Sequence, residues 1–559
     1  MRPQRKRMLN GTNYDRDVRT KRLHKLGEEK RKQPGVEFPK AGDQKQLLIV
    51  RLDIASFTFQ PSSSVQSTRD LSSVTSKDAL CQRVQLGLLR LCKLFQDIDL
   101  GKRKISKLNK DGTIVNGTLN EFNFSATLGF GIGFFDKLSI PDSLRPRKLS
   151  SMPDHLGLGD IVPYSLPQTD LIIQLGSSSN VVNSWVYENS IQSPELVSND
   201  STVAADWNKN VCQSAEPPDS PDIVSAIEGW AIVTDLHAGF QRIDGRNLLG
   251  FNDGVSNPNP GSGDKFDEVV WNTDNDEGTI LKDGTYMVFQ KISHDLDQWR
   301  RLSSREQELW VGRNKLTGLL LGTKENEDQS FINALKNDDR RAKEKLRTLL
   351  HEQSDPERLW YDNDEFKNKV PAWSHVRKAN PRQERILSGG KRLDRKLIFR
   401  RGYPFMEQGT NNRFTSGLLF ISFQRDIVNS FEFIKKNWLN NTNFPTQGSR
   451  PFMVHEIKTR HSHGRFSTEE LKKIKLNSSE SRLLGLDDNQ VFRQTMVEAS
   501  SAEAQKTGKE GLAGPSELGA TMPGKFSIIA PYGGGYYFIP PIPNKSIMNI
   551  GQQFFSKST

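Results

Sequence analysis

The sequence predicts an α+β fold of two similar halves, built on mixed, mostly antiparallel sheets with helices alongside. Three observations carry this. Apolar runs of strand length alternate with segments of helical period, in the order strand–helix–strand, and that order is met twice along the chain. The strand candidates are short and bounded by Gly, Pro and polar turns. No run of 18 or more apolar residues exists among the 559, so the chain is expected to bury its own core rather than cross a membrane.

Residues 1–43 read as a basic tail, charged, broken by Gly and Pro, and without periodicity. Leu47–Val50 with Leu52 and Ile54 then form a buried-strand candidate. Residues 79–99 place Leu80, Val84, Leu86, Leu88, Leu89, Leu91, Leu94 and Phe95 on one wide apolar face, which predicts a helix. Phe122–Leu128 alternates like a half-buried strand and runs into Gly129–Phe135, where Gly alternates with apolar residues. Leu171–Leu175 is a further strand, and the polar, Pro-rich stretch 197–222 a loop insertion. The order then recurs with a strand at Tyr286–Gln290 and a helix starting near Ser304, where Gln307 has capping-box spacing. Leu418–Phe423 is a strand, followed by a helix carrying Phe431, Phe433, Ile434 and Trp438. Phe526–Ile528 and Tyr536–Ile539 bracket a predicted turn at Gly533–Gly535. The halves are placed at 44–250 and 251–559, the second interrupted by charged or polar insertions near 324–370 and 455–524.

Net charge is +11, and residues 1–32 alone hold twelve Lys or Arg against four Asp or Glu. The body is therefore close to neutral and is not a basic nucleic-acid binder. The arm reads as a solvated tail; contact with nucleic acid or an anionic surface is its alternative role. Three cysteines, Cys81, Cys92 and Cys212, are too few and too irregular for a disulfide framework or a CxxC site. A reducing, cytoplasmic compartment is expected, or a secreted one if a signal has already been removed. No apolar segment of signal type follows the basic start.

Three stretches could carry chemistry. Arg246–Pro258 sets Asp253 among closely spaced glycines, as a tight turn would. Trp373–Arg382 holds one imidazole, His375, among cationic neighbours, suited to a metal ligand, a base or a capping residue. Ile398–Phe405 sends Arg400 and Arg401 from a strand into a Gly/Pro turn. His461-Ser462-His463 could bind a metal but lies in a Lys-, Arg- and Ser-rich stretch that reads as solvated. The Gly129–Gly133 alternation lacks the Lys-Ser/Thr of a phosphate loop.

Taken together, the three stretches resemble the dye-decolorizing (DyP-type) haem peroxidase family. Gly250-Phe251-Asn252-Asp253-Gly254 matches its GxxDG motif, His375 with Asn380-Pro381-Arg382 its proximal-histidine segment, and Arg400-Arg401-Gly402-Tyr403-Pro404-Phe405 its distal-arginine segment. Further similarity at Gln33–Val36, Leu128–Phe135, Asp170–Gly176, Gly312–Gly318, Gly417–Asp426 and Gly534–Pro540 extends it over about 33–545. The resemblance implies two ferredoxin-like halves of the dimeric α/β-barrel-like superfamily, with one haem b per chain in the second half. It implies His375 as proximal axial ligand of the haem iron, Arg382 as a cofactor contact, and Asp253 and Arg400 as the distal catalytic pair. The activity implied is reduction of hydrogen peroxide through an oxyferryl intermediate, with dyes, phenolics or other organic donors oxidised. A haem-handling protein of the same fold, a carrier or deferrochelatase-like, is the alternative. The family's carboxylate partner for the proximal imidazole has Glu517 as its candidate, in a stretch that departs from the family pattern. Trp373 and Tyr403, near the site in sequence, read as core aromatics before electron-transfer residues. Homo-oligomerisation is left open.

Overall fold

The computed structural model describes residues 32–33, 36, 46–55, 76–99, 104–108, 114–118, 125–153, 166–177, 223–240, 246–252, 257–258, 264–273, 280–294, 296–301, 304–354, 370, 374–381, 396–408, 414–439, 491–493, 525–527 and 529–555. The basic arm before Lys32, the loop 197–222, Cys212 and most of 455–524 lie outside them.

The first half contributes strands β1 (Gln46–Ile54), β4 (Ser125–Phe130), β5 (Leu171–Ser177) and β6 (Ala231–Phe240). Helix α1 (Ser76–Asp99) connects β1 towards β4, and α3 (Ile223–Ile227) precedes β6. A hairpin of β2 (Lys104–Leu108) and β3 (Ile114–Thr118) forms a separate small sheet, and α2 (Ile132–Lys137) follows β4. The second half contributes β7 (Thr285–His294), β8 (Phe399–Gln408), β9 (Phe414–Gln424) and β12 (Ile529–Ile539). One sheet of eight strands results, in the order β6-β1-β5-β4-β12-β7-β9-β8. Each half, counted along the chain, has its fourth strand outermost, then first, third and second. That is the ferredoxin-like βαββαβ arrangement, made twice. The halves join where Phe538 of β12 pairs with Phe130 of β4. The sheet curls until its two ends, β6 and β8, touch. Gly239 makes this possible, since a Cβ there would fall 2.7 Å from Tyr403 Cβ.

Alternation along the strands gives the sheet two faces. Leu48, Val50, Leu52 and Ile54 face outward and pack with Val84, Leu88, Leu91 and Phe95 of α1, as the helical period predicts, whereas Leu86, read into the same face, is exposed because it lies on the far side of the helix. Ile49, Met287, Phe289, Phe399, Tyr403, Leu419, Ile421 and Tyr537 face the closed interior. That interior also holds a polar cluster. Arg51 pairs with Asp235 at 3.1 Å, and Asp235 with His237 at 2.9 Å. Lys291 Nζ lies 3.5 Å from His237 Nδ1 and 4.7 Å from the Phe405 ring centre. Arg51 Nε donates to the Tyr537 hydroxyl at 3.2 Å. The cluster ties β1 and β6 of one half to β7 and β12 of the other, and a charge left unpaired at such depth costs about 3–5 kcal/mol.

Gln33 and Val36, inside the segment read as tail, are buried. The Gln33 amide donates to the carbonyls of Leu128 (3.1 Å) and Pro540 (3.0 Å) and accepts from Leu128 N at 3.0 Å. Cys92, on the buried face of α1, has its thiol pushed up to about 12 by desolvation. In the charged stretch 324–370, α7 (Gln329–Lys336) and α8 (Arg340–Ser354) are helices with much exposed surface. A short pair, β10 (Val491–Arg493) with β11 (Lys525–Ser527), stands apart from the main sheet. No helix among the described residues is long and apolar enough to cross a membrane.

Two readings of the sequence are corrected. Gly533–Gly535 do not form a turn; they lie inside β12. Glycine is required there because β12 presses on β7: a Cβ on Gly534 would clash with the Phe289 carbonyl oxygen. Gly533 adopts φ +129° beside a register shift and bridges to Leu166. Gly534→Ala is therefore expected to destabilise the fold by about 3 kcal/mol, read as a lower urea midpoint at unchanged slope. The second correction concerns Arg400-Arg401-Gly402-Tyr403-Pro404, which stay within β8. A proline is tolerated because β8 ends the sheet order and needs hydrogen bonds on one side only.

After β9, Ile427–Glu432 and Ile434–Leu439 form α10, wound as π-helix. Its N-cap, Asp426, accepts from Asn429 N at 2.9 Å and pairs with Lys148 at 2.9 Å. Burial raises the Asp426 carboxyl, but the Asn429 bonds and Lys148 outweigh it and hold it below the ordinary value. A carboxylate depressed in the fold stabilises above its unfolded value, and this is lost as pH falls through the folded one. Asp426→Ala is thus expected to cost about 1–2 kcal/mol near neutrality. The gap to the parent should close in acid, which urea melts across pH would follow.

Candidate functional site

Arg400 and Arg401 are neighbours with opposite fates. Arg401 turns into the closed interior, where it stacks on Phe399 with 4.7 Å between guanidinium carbon and ring centre. Arg400 lies on the other face, in one row with Ser422, Val288 and Tyr536 of the three adjoining strands. This outer face of the second half is covered by α5 (Leu296–Arg301), α6 (Ser304–Val311), α9 (His375–Ala379) and α10. Leu249, Phe251, Trp299 and Trp310 pack onto Ile292, and Leu418 and Phe420 of β9 join them. Leu309 of α6 belongs both to that cluster and to the next, formed by Leu320, Leu321, Val370 and Val376. Ala379 at the other end of α9 packs on Ile398, Ile434 and Trp438. So α9, with His375 as its first residue, is part of the layer above the face that carries Arg400.

The backbone of Arg400 is read by a side chain far away in sequence. Asn257 Nδ2 donates to Arg400 O at 2.8 Å, and Arg400 N donates to Asn257 Oδ1 at 3.0 Å. An amide that satisfies both backbone groups of one residue fixes strand and loop together. This fastens the chain at Asn257, three residues past Gly254 in the sequence, to β8.

The start of that segment is fixed as tightly. Gly250 sits at φ +91°, and Asn247 Oδ1 accepts from Phe251 N at 3.1 Å, closing the turn. Arg246 donates to Gly250 O at 2.7 Å, to Leu316 O at 3.0 Å and to Lys315 O. Those last two carbonyls belong to the loop 312–322, a narrow hairpin closed by the Arg313–Leu320 bridge. Two of its glycines allow close approach. A Cβ on Gly318 would stand 2.7 Å from Asn252 Nδ2, and one on Gly312 would stand 2.8 Å from Ser374 Oγ and 2.5 Å from Val376 Cγ2. One hairpin thus touches the residue before Asp253 and both residues flanking His375. Gln353 of α8 buttresses it, accepting from Leu320 N at 2.8 Å and donating to Thr323 Oγ1 at 3.0 Å. Burial and the charge of Arg246 pull the Lys315 ammonium below its ordinary value, with Glu308 opposing.

Of the residues singled out in sequence, His375 and Arg400 are described, His375 half-buried and Arg400 half-buried. Asp253, Arg382, Glu517, Trp373, His461 and His463 lie outside the described residues. Tyr403 is buried in the closed interior on the face away from Arg400, as a core aromatic. Among the described residues no group of three or more His, Cys, Asp or Glu could hold a metal ion. Ser374 Oγ, beside His375, is buried with no hydrogen-bond partner. Asn257, Arg246 and the 312–322 hairpin are the parts that sequence reasoning did not single out for a role.

Residues 244–447 match the family model described as Dyp-type peroxidase, C-terminal. The match covers the segment that holds the site and makes that segment similar to the C-terminal part of Dyp-type peroxidases. The matched range contains Arg246, Asn257, the 312–322 hairpin, His375 and Arg400. A curated relative, Deferrochelatase of Shigella flexneri serotype 5b (strain 8401), is 26% identical over 333 residues, covering 58% of this chain and 63% of the relative. Deferrochelatase of Escherichia coli (strain K12) is 30% identical over 192 residues, 34% of this chain and 37% of the relative. The chain therefore spans less than two thirds of the length of these relatives. Among solved structures, a DyP-type peroxidase from Streptomyces coelicolor is matched with TM-score 0.47 and 20% identity, covering 73% of this chain and 85% of that one. Ferric DtpA from Streptomyces lividans is matched with TM-score 0.44 and 21% identity, at 73% and 85% coverage.

Proposed function

We propose that this chain is a haem-dependent peroxidase that reduces hydrogen peroxide and oxidises an organic donor such as a phenol or dye. The reading rests on one observation above all: the double hydrogen bond that fastens the loop after Asp253 to the backbone of Arg400. Asn257 comes four residues after Asp253 in the sequence, and Arg400 lies on the face roofed by the layer that carries His375.

The donor set fits haem b. His375 opens a short helix and is half-buried, so its ring is held yet accessible. A neutral imidazole is an ordinary axial ligand of haem iron. The apolar surroundings suit a flat, largely apolar macrocycle, and Ser374 Oγ is a buried polar atom in need of a partner. When bound, haem supplies the redox chemistry that splits the O–O bond.

The work of the residues follows. His375 would hold the haem iron through one ring nitrogen, and an acceptor on the other would fix its tautomer and raise its basicity. Asp253 takes the proton from one peroxide oxygen and returns it to the leaving oxygen, directly or through water. An unperturbed Asp titrates near ~3.9, which suits acidic operation. Arg400 sets a permanent positive charge where negative charge develops on the departing oxygen. It does so at every working pH, because guanidinium stays protonated. Arg382, seven residues past the ligand, is assigned to a haem contact.

The relatives' name favours a second reading, an enzyme that removes iron from haem within the same fold. One experiment separates the two. Haem-loaded chain is given peroxide with a phenolic or anthraquinone donor, and, in a parallel tube, a reductant without peroxide. Donor oxidation at acidic pH supports the peroxidase. Release of metal-free porphyrin, seen by its fluorescence, with no donor oxidation would replace it by the second reading.

A further inference from the structure

Tyr536 lies in the sheet row that contains Arg400, and nothing above gives it a task. Its partners form a chain that leads out of the core. The hydroxyl donates to Glu432 Oε1 at 3.1 Å, and both residues are buried. Glu432 Oε2 in turn accepts from Lys436 Nζ at 2.9 Å, one helical turn further along α10, and the Lys436 side chain is 41% exposed. A phenol, a carboxylate and a surface ammonium are thus linked in sequence from the sheet to solvent.

Tyr536 also shares its sheet face with Arg400. From Arg400 the row passes Ser422 and Val288 to Tyr536, three strand spacings or about 14 Å between the end Cα atoms. Two phenylalanine rings lead from Tyr536 back towards β8. The Tyr536 ring meets Phe431 edge-on at 6.2 Å, and Phe431 meets Phe420 at 5.9 Å. Phe420 is the register partner of Gly402, which follows Arg400 on the same face. Gln168 pins the tyrosine backbone, donating to Tyr536 O at 2.8 Å and accepting from Tyr536 N at 2.8 Å.

We propose that Tyr536 is an internal electron relay of the peroxidase reaction, with Glu432 as its proton acceptor. The inference rests on the haem-peroxidase reading and adds to it the path by which electrons reach the buried site from a donor at the surface. One electron leaves the phenol for the peroxide-oxidised haem, and the hydroxyl proton moves along the existing hydrogen bond to Glu432 Oε1. A neutral tyrosyl radical and a protonated carboxyl result, so charge and protons balance. A phenolic donor at the surface then returns one electron, and Glu432 returns the proton. A buried phenol without such an acceptor would have to become a cation radical, at the desolvation cost of an unpaired charge. Tyr537, its neighbour in sequence, cannot serve in the same way. Its hydroxyl accepts from the permanent cation Arg51 and pairs with Thr169 at 2.8 Å, with no carboxylate among these partners.

The test is freeze-quench electron paramagnetic resonance on haem-loaded full chain after one equivalent of hydrogen peroxide without donor. Haem content is checked first by absorbance. The parent should develop a tyrosyl signal whose growth slows in deuterated water. Tyr536→Phe should lose that signal at equal haem content, while Tyr537→Phe keeps it. Glu432→Gln keeps the shape and removes the acceptor; it should delay the signal and abolish its solvent isotope effect, which a merely structural role would not do. A full signal in Tyr536→Phe, or no tyrosyl signal in a parent that binds haem and consumes peroxide, overturns the relay and leaves the peroxidase standing. A parent that takes up no haem removes both.

Discussion

His375→Ala, reconstituted beside the parent chain, is expected to lose nearly all tightly held haem. The residue opens α9, and the helix is held without it: Val376 packs into the Leu320–Leu321–Val370 cluster and Ala379 onto Ile434 and Trp438. Arg377 adds a bond of 2.8 Å to Val370 O. Removing a half-buried imidazole from the first position should therefore leave the fold intact. What is lost is the one iron ligand proposed from the protein. Even the partners that orient a metal-bound histidine are worth about 10–100-fold in affinity, so loss of the ligand itself should exceed that. The measurement is haem retained after gel filtration, with circular dichroism as a check on folding. Full occupancy with parent-like absorbance would remove His375 from its role.

Arg400→Leu should leave haem bound and slow the first reaction with peroxide by about 100–1000-fold, the usual effect of deleting one preorganised donor to developing negative charge. The strand tolerates the change. Asn257 holds the Arg400 backbone and not its side chain, so the loop stays tied to β8. Leucine also suits a face that already carries Leu418 and Phe420. Asp253→Asn should slow the same step, because an amide cannot take up the proton. Stopped-flow absorbance at varied peroxide reads both. Parent-like rate constants in Arg400→Leu would assign charge stabilisation to some other group.

The elements legible in the sequence are those whose side chains bury against apolar neighbours. β1, β5, β7, β9 and α1 show this plainly. β6 does not, for a physical reason. Its inward positions include Asp235, His237 and Gly239, which build the interior ion cluster and the close contact with β8 instead of an apolar stripe. Glycine and proline mislead for a related reason in β12 and β8, where they answer close approach and an unpaired edge rather than a bend. At the site, His375 and Arg400 are legible as residue types within motifs. Asn257 is not, because its bonds reach a backbone 143 residues away, and such a tie leaves no periodic trace. The same holds for the hairpin 312–322. Its glycines look like turn residues, yet Gly312 and Gly318 are set by what lies against them, Ser374 and Val376 on one side and Asn252 on the other.

An optical titration decides the central claim most directly. Full-length chain is titrated with ferric haem, then given one equivalent of peroxide. The account predicts saturation at one haem per chain, a sharpened Soret band of histidine-ligated ferric haem, and a rapid spectral change with peroxide that a phenolic donor reverses. Haem that associates without a saturable endpoint, or a bound spectrum that peroxide only bleaches, would contradict it.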